Sequence, residues 1–317
     1  MPKKNLITHA RKTGARKTGA LLVVLLLAIL PACSQAVSTS TSATVQSTAV
    51  QTAAAATTET TVAVTNPENP VVRLSTTTSV NDSGLLPVLE KAFETSTGYD
   101  LQIIANGTGA AIKLGESGDA DVLLVHAKAS EVAFVDAGYG VERIPFMHNY
   151  FVIAGASGNK AKVAECMDAI SAFKAIAAAQ ATFISRGDDS GTNKAELALW
   201  KSAGVAPSGD WYVSSGKGMG PCLTMAGEMQ AYILTDKATY LATKAQTELV
   251  ICLGESDDLK NTYSLIAVNP DKNPGVNKQG AQAWIDFMLS DQARDIISDF
   301  GIKEYGEALF FYDGAPS

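Results

Sequence analysis

Histidine is scarce in this 317-residue chain: of three, only His126 and His148 lie beyond the N-terminal segment. Neither stands at metal-ligand spacing from another His or from a Cys, so no resident metal or other cofactor is expected. The chain also lacks a Gly-x-Ser-x-Gly string, which argues against a Ser–His–Asp hydrolase built on a nucleophile elbow. Acid is absent from the first 33 residues, which carry Lys3, Lys4, Arg11, Lys12, Arg16 and Lys17. The unbroken apolar run at 21–30 falls well short of the roughly 20 residues that cross a bilayer.

Those last two features belong together. A basic segment, a short apolar run and a small residue before a cut site make a secretory signal. Leu30-Pro31-Ala32-Cys33 resembles the lipobox of bacterial lipoproteins, with Pro31 unusual at its position, which implies lipidation of Cys33. Residues 1–33 are thus expected to be a signal, and the mature chain to sit lipid-anchored on the outer face of the cell membrane, or in the periplasm. Residues 34–70 are dominated by Ser, Thr, Ala, Val and Gln; they cannot bury enough apolar surface to offset their ordering entropy and read as a tether.

The formal net charge of −7 becomes about −13 once the six cations of the signal are set aside. So acidic a chain is not expected to bind nucleic acid. An anion site in it would have to work at short range, through donors and helix ends, against the long-range field. After Cys33, Cys166, Cys222 and Cys252 remain, an odd number that allows at most one disulfide; buried packing is their expected role.

From residue 71 onward short β-type runs alternate with helix-type segments, the pattern of mostly parallel sheets with crossover helices. Strands are expected at 71–75, 101–105, 121–125, 182–185, 211–213 and 249–253. Helices are expected from near Ser83, and at 108–114, 130–137, 160–179, 192–203, 219–234, 281–289 and 291–300. Two longer extended runs, 146–154 and 263–268, suggest a chain that leaves one lobe and returns to it, with a hinge at each. The expected division is 71–152 plus 263–317 for one lobe and 153–262 for the other.

In open α/β sheets ligands sit at the carboxyl ends of strands. Four loops there draw attention. Ser75-Thr76-Thr77-Thr78-Ser79 offers successive hydroxyls ahead of a helix, where capping alone needs one. Asn106-Gly107-Thr108-Gly109 is a weaker signal, equally suited to a tight turn. His126 at a strand end is either a ligand contact or an interlobe hydrogen-bonding residue. In the segment from Ser185 to Thr192, Arg186 offers a rigid fork of donors, Ser190 and Thr192 open a helix, and Asp188 or Asp189 can fix the aim of Arg186. Ser214-Ser215-Gly216-Lys217-Gly218 could line the same cleft, but lacks P-loop spacing. Donors outnumber acids, which suits a fully deprotonated tetrahedral oxyanion; a cleft of donors without a base suits binding, not turnover, so no enzyme is expected.

Leu74-Ser75-Thr76-Thr77-Thr78-Ser79, Asp82-Ser83-Gly84-Leu85-Leu86 and Gly107-Thr108-Gly109 resemble segments of the tungstate-binding proteins of ABC transporters. So do Asp121-Val122-Leu123-Leu124-Val125-His126-Ala127, Gly138-Tyr139-Gly140, Asn149-Tyr150-Phe151-Val152-Ile153, the string from Ser185 to Thr192 and Ile266-Ala267-Val268-Asn269-Pro270. The resemblance covers nearly everything after the tether. It implies an α/β, two-lobed type II periplasmic-binding fold with two crossing hinge strands. It further implies capture of tungstate for delivery to an ABC permease and its ATPase. On that pattern Thr77 and Ser79 from one lobe, and Arg186 and Thr192 from the other, contact the oxyanion, with Thr78, Ser190 and His126 as further candidates. Asn149-Tyr150 stands where the pattern has Asn-Asp, and Cys222 is extra. Arg186-Gly187-Asp188-Asp189-Ser190-Gly191-Thr192 is also similar to the phosphate-binding proteins of this fold, so phosphate or molybdate is the rival ligand. A secreted hydrolase and a signalling ectodomain without a permease are the rival classes.

Overall fold

A computed structural model describes residues 67–158 and 160–315. The expected signal, Cys33 and all but the last four tether residues lie outside the described residues. The first unit runs β1 (Val71–Thr77), α1 (Thr78–Asp82), α2 (Leu85–Thr97), β2 (Asp100–Asn106), α3 (Thr108–Ser117), β3 (Val122–Val125) and α4 (Lys128–Asp136). β1 lies between β2 and β3, all parallel, with Thr77 opposite Asn106 and Thr76 opposite Leu124. This register brings the loops after β1, β2 and β3 to one edge of the sheet. α2 packs on it by burying Leu85, Leu86, Leu89 and Phe93 in the core that contains Trp284 and Ile297. Each such side chain is worth about 1.5–3 kcal/mol.

β4 (Ile144–Gly155) is the long crossing strand. The second unit follows: α5 (Ala169–Ala179), β5 (Phe183–Ser185), α6 (Gly191–Ser202), β6 (Tyr212–Ser214), α7 (Met219–Met229), β7 (Tyr232–Asp236), α8 (Lys237–Thr247) and β8 (Val250–Gly254). The chain returns through β9 (Lys260–Ala267) and closes with α9 (Lys278–Met288), α10 (Asp291–Asp299), α11 (Ile302–Tyr305) and β10 (Phe311–Tyr312). From Ile144 to Tyr150, β4 pairs antiparallel with β9; from Phe151 onward it pairs with β7 and β8. β9 in turn pairs antiparallel with β3, whereas β5, β6 and β7 are parallel. The result is a two-lobed α/β fold of the type II kind, each lobe a mostly parallel sheet flanked by helices. The second lobe packs Phe173, Phe183 and Trp200 into one aromatic cluster, with Phe173 and Trp200 4.3 Å apart between centroids.

The helix expected from near Ser83 is α2, which stops at Gly98 as expected; an extra short helix, α1, precedes it, so the hydroxyl run itself enters a helix. Two expected elements differ. The helix expected at 160–179 is a short 3-10 turn, Val163–Glu165, followed by α5, because Asp168 and Ser171 form a capping box that starts a new helix. The helix expected at 219–234 ends at Met229, where Gln230 takes a left-handed φ of 52° usually left to glycine. Its expected last turn is β7, buried at every residue, and α8 follows where no element was expected. Cys222 and Cys252 are buried and Cys166 half-buried, all three as free thiols.

Candidate functional site

Of the hydroxyls from Ser75 to Ser79, the first two hold the scaffold. Ser75 Oγ donates to the Ala111 carbonyl at 3.2 Å and Thr76 Oγ1 to the Leu124 carbonyl at 2.7 Å. They fasten β1 to α3 and β3. Thr77 and Ser79 are turned toward each other instead, Oγ1 to Oγ 3.2 Å, and are buried; half-buried Thr78 opens α1 between them. Ser79 Oγ also lies 3.0 Å from His126 Nε2. The neighbouring loop contributes Thr108, whose buried Oγ1 has no hydrogen-bond partner and which opens α3. No side chain caps α3, and the first-turn amides of a helix have no intrahelical acceptor.

The second lobe answers with a matching set. Arg186, 4% exposed, follows β5 and gives Nη2 and Nε to Asp188 Oδ2 at 2.6 and 3.1 Å. Asp188 Oδ1 accepts the Ser190 backbone N–H at 3.2 Å and its hydroxyl at 2.6 Å. Asp188 is therefore the aspartate that aims Arg186, while Asp189 pairs with Lys194 at 2.5 Å. A guanidinium carries five N–H donors; two go to Asp188, leaving Nη1 and the remaining Nη2 hydrogen for another acceptor. Ser190 caps α6 through the Asn193 amide, and the Thr192 hydroxyl in the first turn is buried without a partner.

These two sets face one another. A methyl group on Gly107 would come within 3.5 Å of the Asp188 carbonyl and 3.6 Å of Ser190 Cα, and one on Gly109 would strike the Asp189 carboxylate. The first turn of α3 thus abuts the loop that begins α6. Gly191 abuts the His126 ring so closely that any Cβ would overlap it. The loops that carry Thr108 and His126 thus meet the segment from Asp188 to Gly191, and Thr77 and Ser79 reach this junction through the contact of Ser79 with His126.

The supporting residues went unnoticed in the sequence. Glu196, 2% exposed, accepts from Ser185 at 2.6 Å, Trp200 at 3.0 Å, Tyr212 at 2.8 Å and Asn193 at 3.4 Å. It ties β5, α6 and β6 together directly behind Arg186. Burial pushes its pKa up against those four donors, and the same burial lifts Tyr212 to about 12. Asp236, at the end of β7, accepts from the Thr239 amide and hydroxyl; its burial raises its pKa, partly opposed by nearby Arg186. His126 is held neutral: burial pushes its pKa down to about 4, Arg186 lowers it further, and only the Asn261 hydrogen bond opposes. The spacing of i, i+4 between Glu196 and Trp200 is the one signal that could have marked this network in advance.

Among the described residues no group of His, Cys, Asp and Glu could hold a metal ion. What converges is a guanidinium, hydroxyls without partners and the uncapped first-turn amides of α3, each able to donate a hydrogen bond and none of them a strong base. Such an arrangement can hold acceptor oxygens from two sides.

A PBP superfamily domain matches residues 34–292. The chain is 47% identical over 239 residues to the tungstate-binding protein TupA of Peptoclostridium acidaminophilum, covering 75% of this chain and 84% of that one. It is 39% identical over 240 residues to the protein of that name from Campylobacter jejuni, covering 74% and 88%. Among solved structures, that of the tungstate ABC transporter from Geobacter sulfurreducens matches at 50% identity and a TM-score of 0.67, covering 73% of this chain and 98% of that chain. The tungstate-binding protein of Desulfovibrio alaskensis G20 matches at 42% identity and a TM-score of 0.68, covering 77% and 99%.

Proposed function

Since the chain belongs to the PBP superfamily and, within it, to the family of tungstate-binding proteins, we propose that it is the solute-binding component of an ABC importer that captures tungstate outside the membrane. The single observation that carries this reading is the meeting of two sets of donors. Arg186 has two of its N–H groups fixed by Asp188, whose loop abuts the first turn of α3, and the two helix starts that meet there carry the partnerless hydroxyls of Thr108 and Thr192. Thr77, Thr78, Ser79 and Thr192 supply the remaining donors in this reading; Ser190, expected among them, gives its N–H and hydroxyl to Asp188 and holds that carboxylate in place instead. The motion that encloses the ion is one of residues 71–152 with 263–317 against 153–262, a division supported by the change of β4 from β9 to β7 after Tyr150. The role is binding and delivery to a permease with its ATPase, not catalysis, because both nitrogens of the one histidine near the donors are engaged within the protein.

Hydrogen phosphate keeps a proton and needs an acceptor in its site. Asp188, the carboxylate nearest the donors, has Oδ2 committed to Arg186 and Oδ1 to Ser190, which favours tungstate or molybdate over phosphate. Calorimetric titration of the mature protein with tungstate, molybdate, sulfate and phosphate tests this: tungstate is expected to bind most tightly and phosphate weakly. Tighter binding of phosphate would overturn the assignment.

Export and anchoring complete the proposal, with Cys33 as the lipidated residue. Cys33→Ser is expected to move the protein from the membrane fraction into the soluble exported fraction, since several acyl chains, not one, give a lasting anchor. Unchanged sedimentation with membranes would rule this out.

A further inference from the structure

Four buried side chains lead away from the site in an unbroken hydrogen-bonded line. Ser79 Oγ is 3.0 Å from His126 Nε2, His126 Nδ1 is 2.8 Å from Asn261 Oδ1, and Asn261 Nδ2 donates to Asn149 Oδ1 at 2.8 Å. Asn149 lies on β4 and Asn261 opposite it on β9, so the line is rooted in the strands that join the lobes. Its polarity follows from counting hydrogens. Asn261 Oδ1 has none to give, so Nδ1 of His126 must carry the ring hydrogen. The ring is neutral, so Nε2 is bare and takes the one hydrogen of Ser79. In this state the Ser79 oxygen offers only lone pairs to anything beside it.

An oxyanion without hydrogens cannot use lone pairs. It can use Ser79 without leaving the buried Nε2 unpaired only if the whole line reverses, with both carboxamides turned over and the imidazole hydrogen on Nε2. Asn149 then donates to Asn261, Asn261 to Nδ1, Nε2 to Ser79, and Ser79 to the anion. No proton is gained or lost, because the ring exchanges one tautomer for the other.

We infer that His126 is a positioning residue that acts on the anion through Ser79: the line from Asn149 sets which way the Ser79 hydroxyl points, and an all-acceptor anion selects the polarity in which Ser79 donates. The inference rests on the tungstate reading and deepens it. The line also connects ligand and hinge, because the reversal turns a carboxamide on each of the two strands that join the lobes. A protonated anion such as hydrogen phosphate gains nothing from the reversal, since its own O–H can meet the acceptor state of Ser79. The imidazole faces Gly191 and packs 4.7 Å from Tyr263 and 6.3 Å from Phe151 between centroids, so its ring also fills the junction of the lobes.

Nitrogen-15 spectra of the histidine-labelled mature protein, with and without saturating tungstate, read the tautomer directly. Nε2 is expected to be the bare nitrogen in the free protein and Nδ1 in the complex. His126→Phe keeps the ring against Gly191, Tyr263 and Phe151 but removes both nitrogens; it is expected to weaken tungstate about tenfold, the worth of roughly one hydrogen bond, and to leave phosphate almost unchanged. His126→Gln, which restores a donor, should recover part of that loss. If wild-type protein binds tungstate while its ring nitrogens keep their free-state assignment, or if the Phe variant keeps the full preference for tungstate over phosphate, the inference fails while the oxyanion reading stands. Absence of tungstate binding by the wild type would bring down both.

Discussion

Arg186→Ala should weaken tungstate binding by about 3–6 kcal/mol, two orders of magnitude or more, the sum expected for two hydrogen bonds from a charged donor. Among the described residues Arg186 is the only buried lysine or arginine, and at 4% exposure it acts where water screens little. The chain beyond residue 33 is strongly acidic, so no diffuse positive field stands behind it to compensate. Asp188 worsens the loss: without its partner it becomes an unopposed negative charge beside the anion. Arg186→Lys should recover only part of the affinity, because an ammonium keeps the charge but not the planar fork that serves Asp188 and the ligand together. Isothermal titration of the two variants, with circular dichroism to verify folding, measures both effects. An alanine variant that binds as tightly as wild type would remove Arg186 from the site.

Glu196→Ala is expected to cost about 3 kcal/mol or more of stability. It strands four donors at once, and a buried polar group left unsatisfied costs about 1–3 kcal/mol even where water reaches some of them. For a chain of this size that corresponds to a fall in Tm of about 6–12 °C. Because Ser185 and Asn193 flank Arg186 and the α6 cap, tungstate affinity should fall as well, which separates this substitution from an ordinary core truncation. Glu196→Gln keeps two acceptor lone pairs and should lose less than half as much. Calorimetric melting of the three proteins decides it; an alanine variant as stable as wild type would mean that Glu196 does not organise this lobe.

Much of the architecture could be read before any coordinates. The strand–loop–helix units of the first lobe carry clear punctuation: Gly98 and Gly118 close α2 and α3 with left-handed backbones, and the apolar spacing of Leu86, Leu89 and Phe93 marks one helical face. The donor segments around Thr77 and Arg186 stood out because they held more hydroxyls and glycines than capping requires. β7 and α8 escaped for the opposite reason. The turn between α7 and β7 is made by Gln230 rather than glycine, and Ala231 to Leu234 extends the apolar composition of the helix before it. A strand buried on both faces has no alternation to betray it. Within the site, Thr108 looked like an ordinary turn residue, since the role of its flanking glycines lies in the approach of residues 188–190, which only the folded lobes bring near. The pairing of Asn149 with Asn261, 112 positions apart, left no trace in local pattern at all.

β4 belongs to both sheets without a break, changing neighbours between Tyr150 and Phe151. Any swing of one half against the other must then be absorbed as added twist in a strand whose ladder bonds survive on each side of that point, an adjustment that β-structure accommodates at small expense. The two arrangements should accordingly lie close in free energy when no solute is present. A modest differential attraction for the captured ion then suffices to shift the population, and its release does not require any part of the scaffold to come undone.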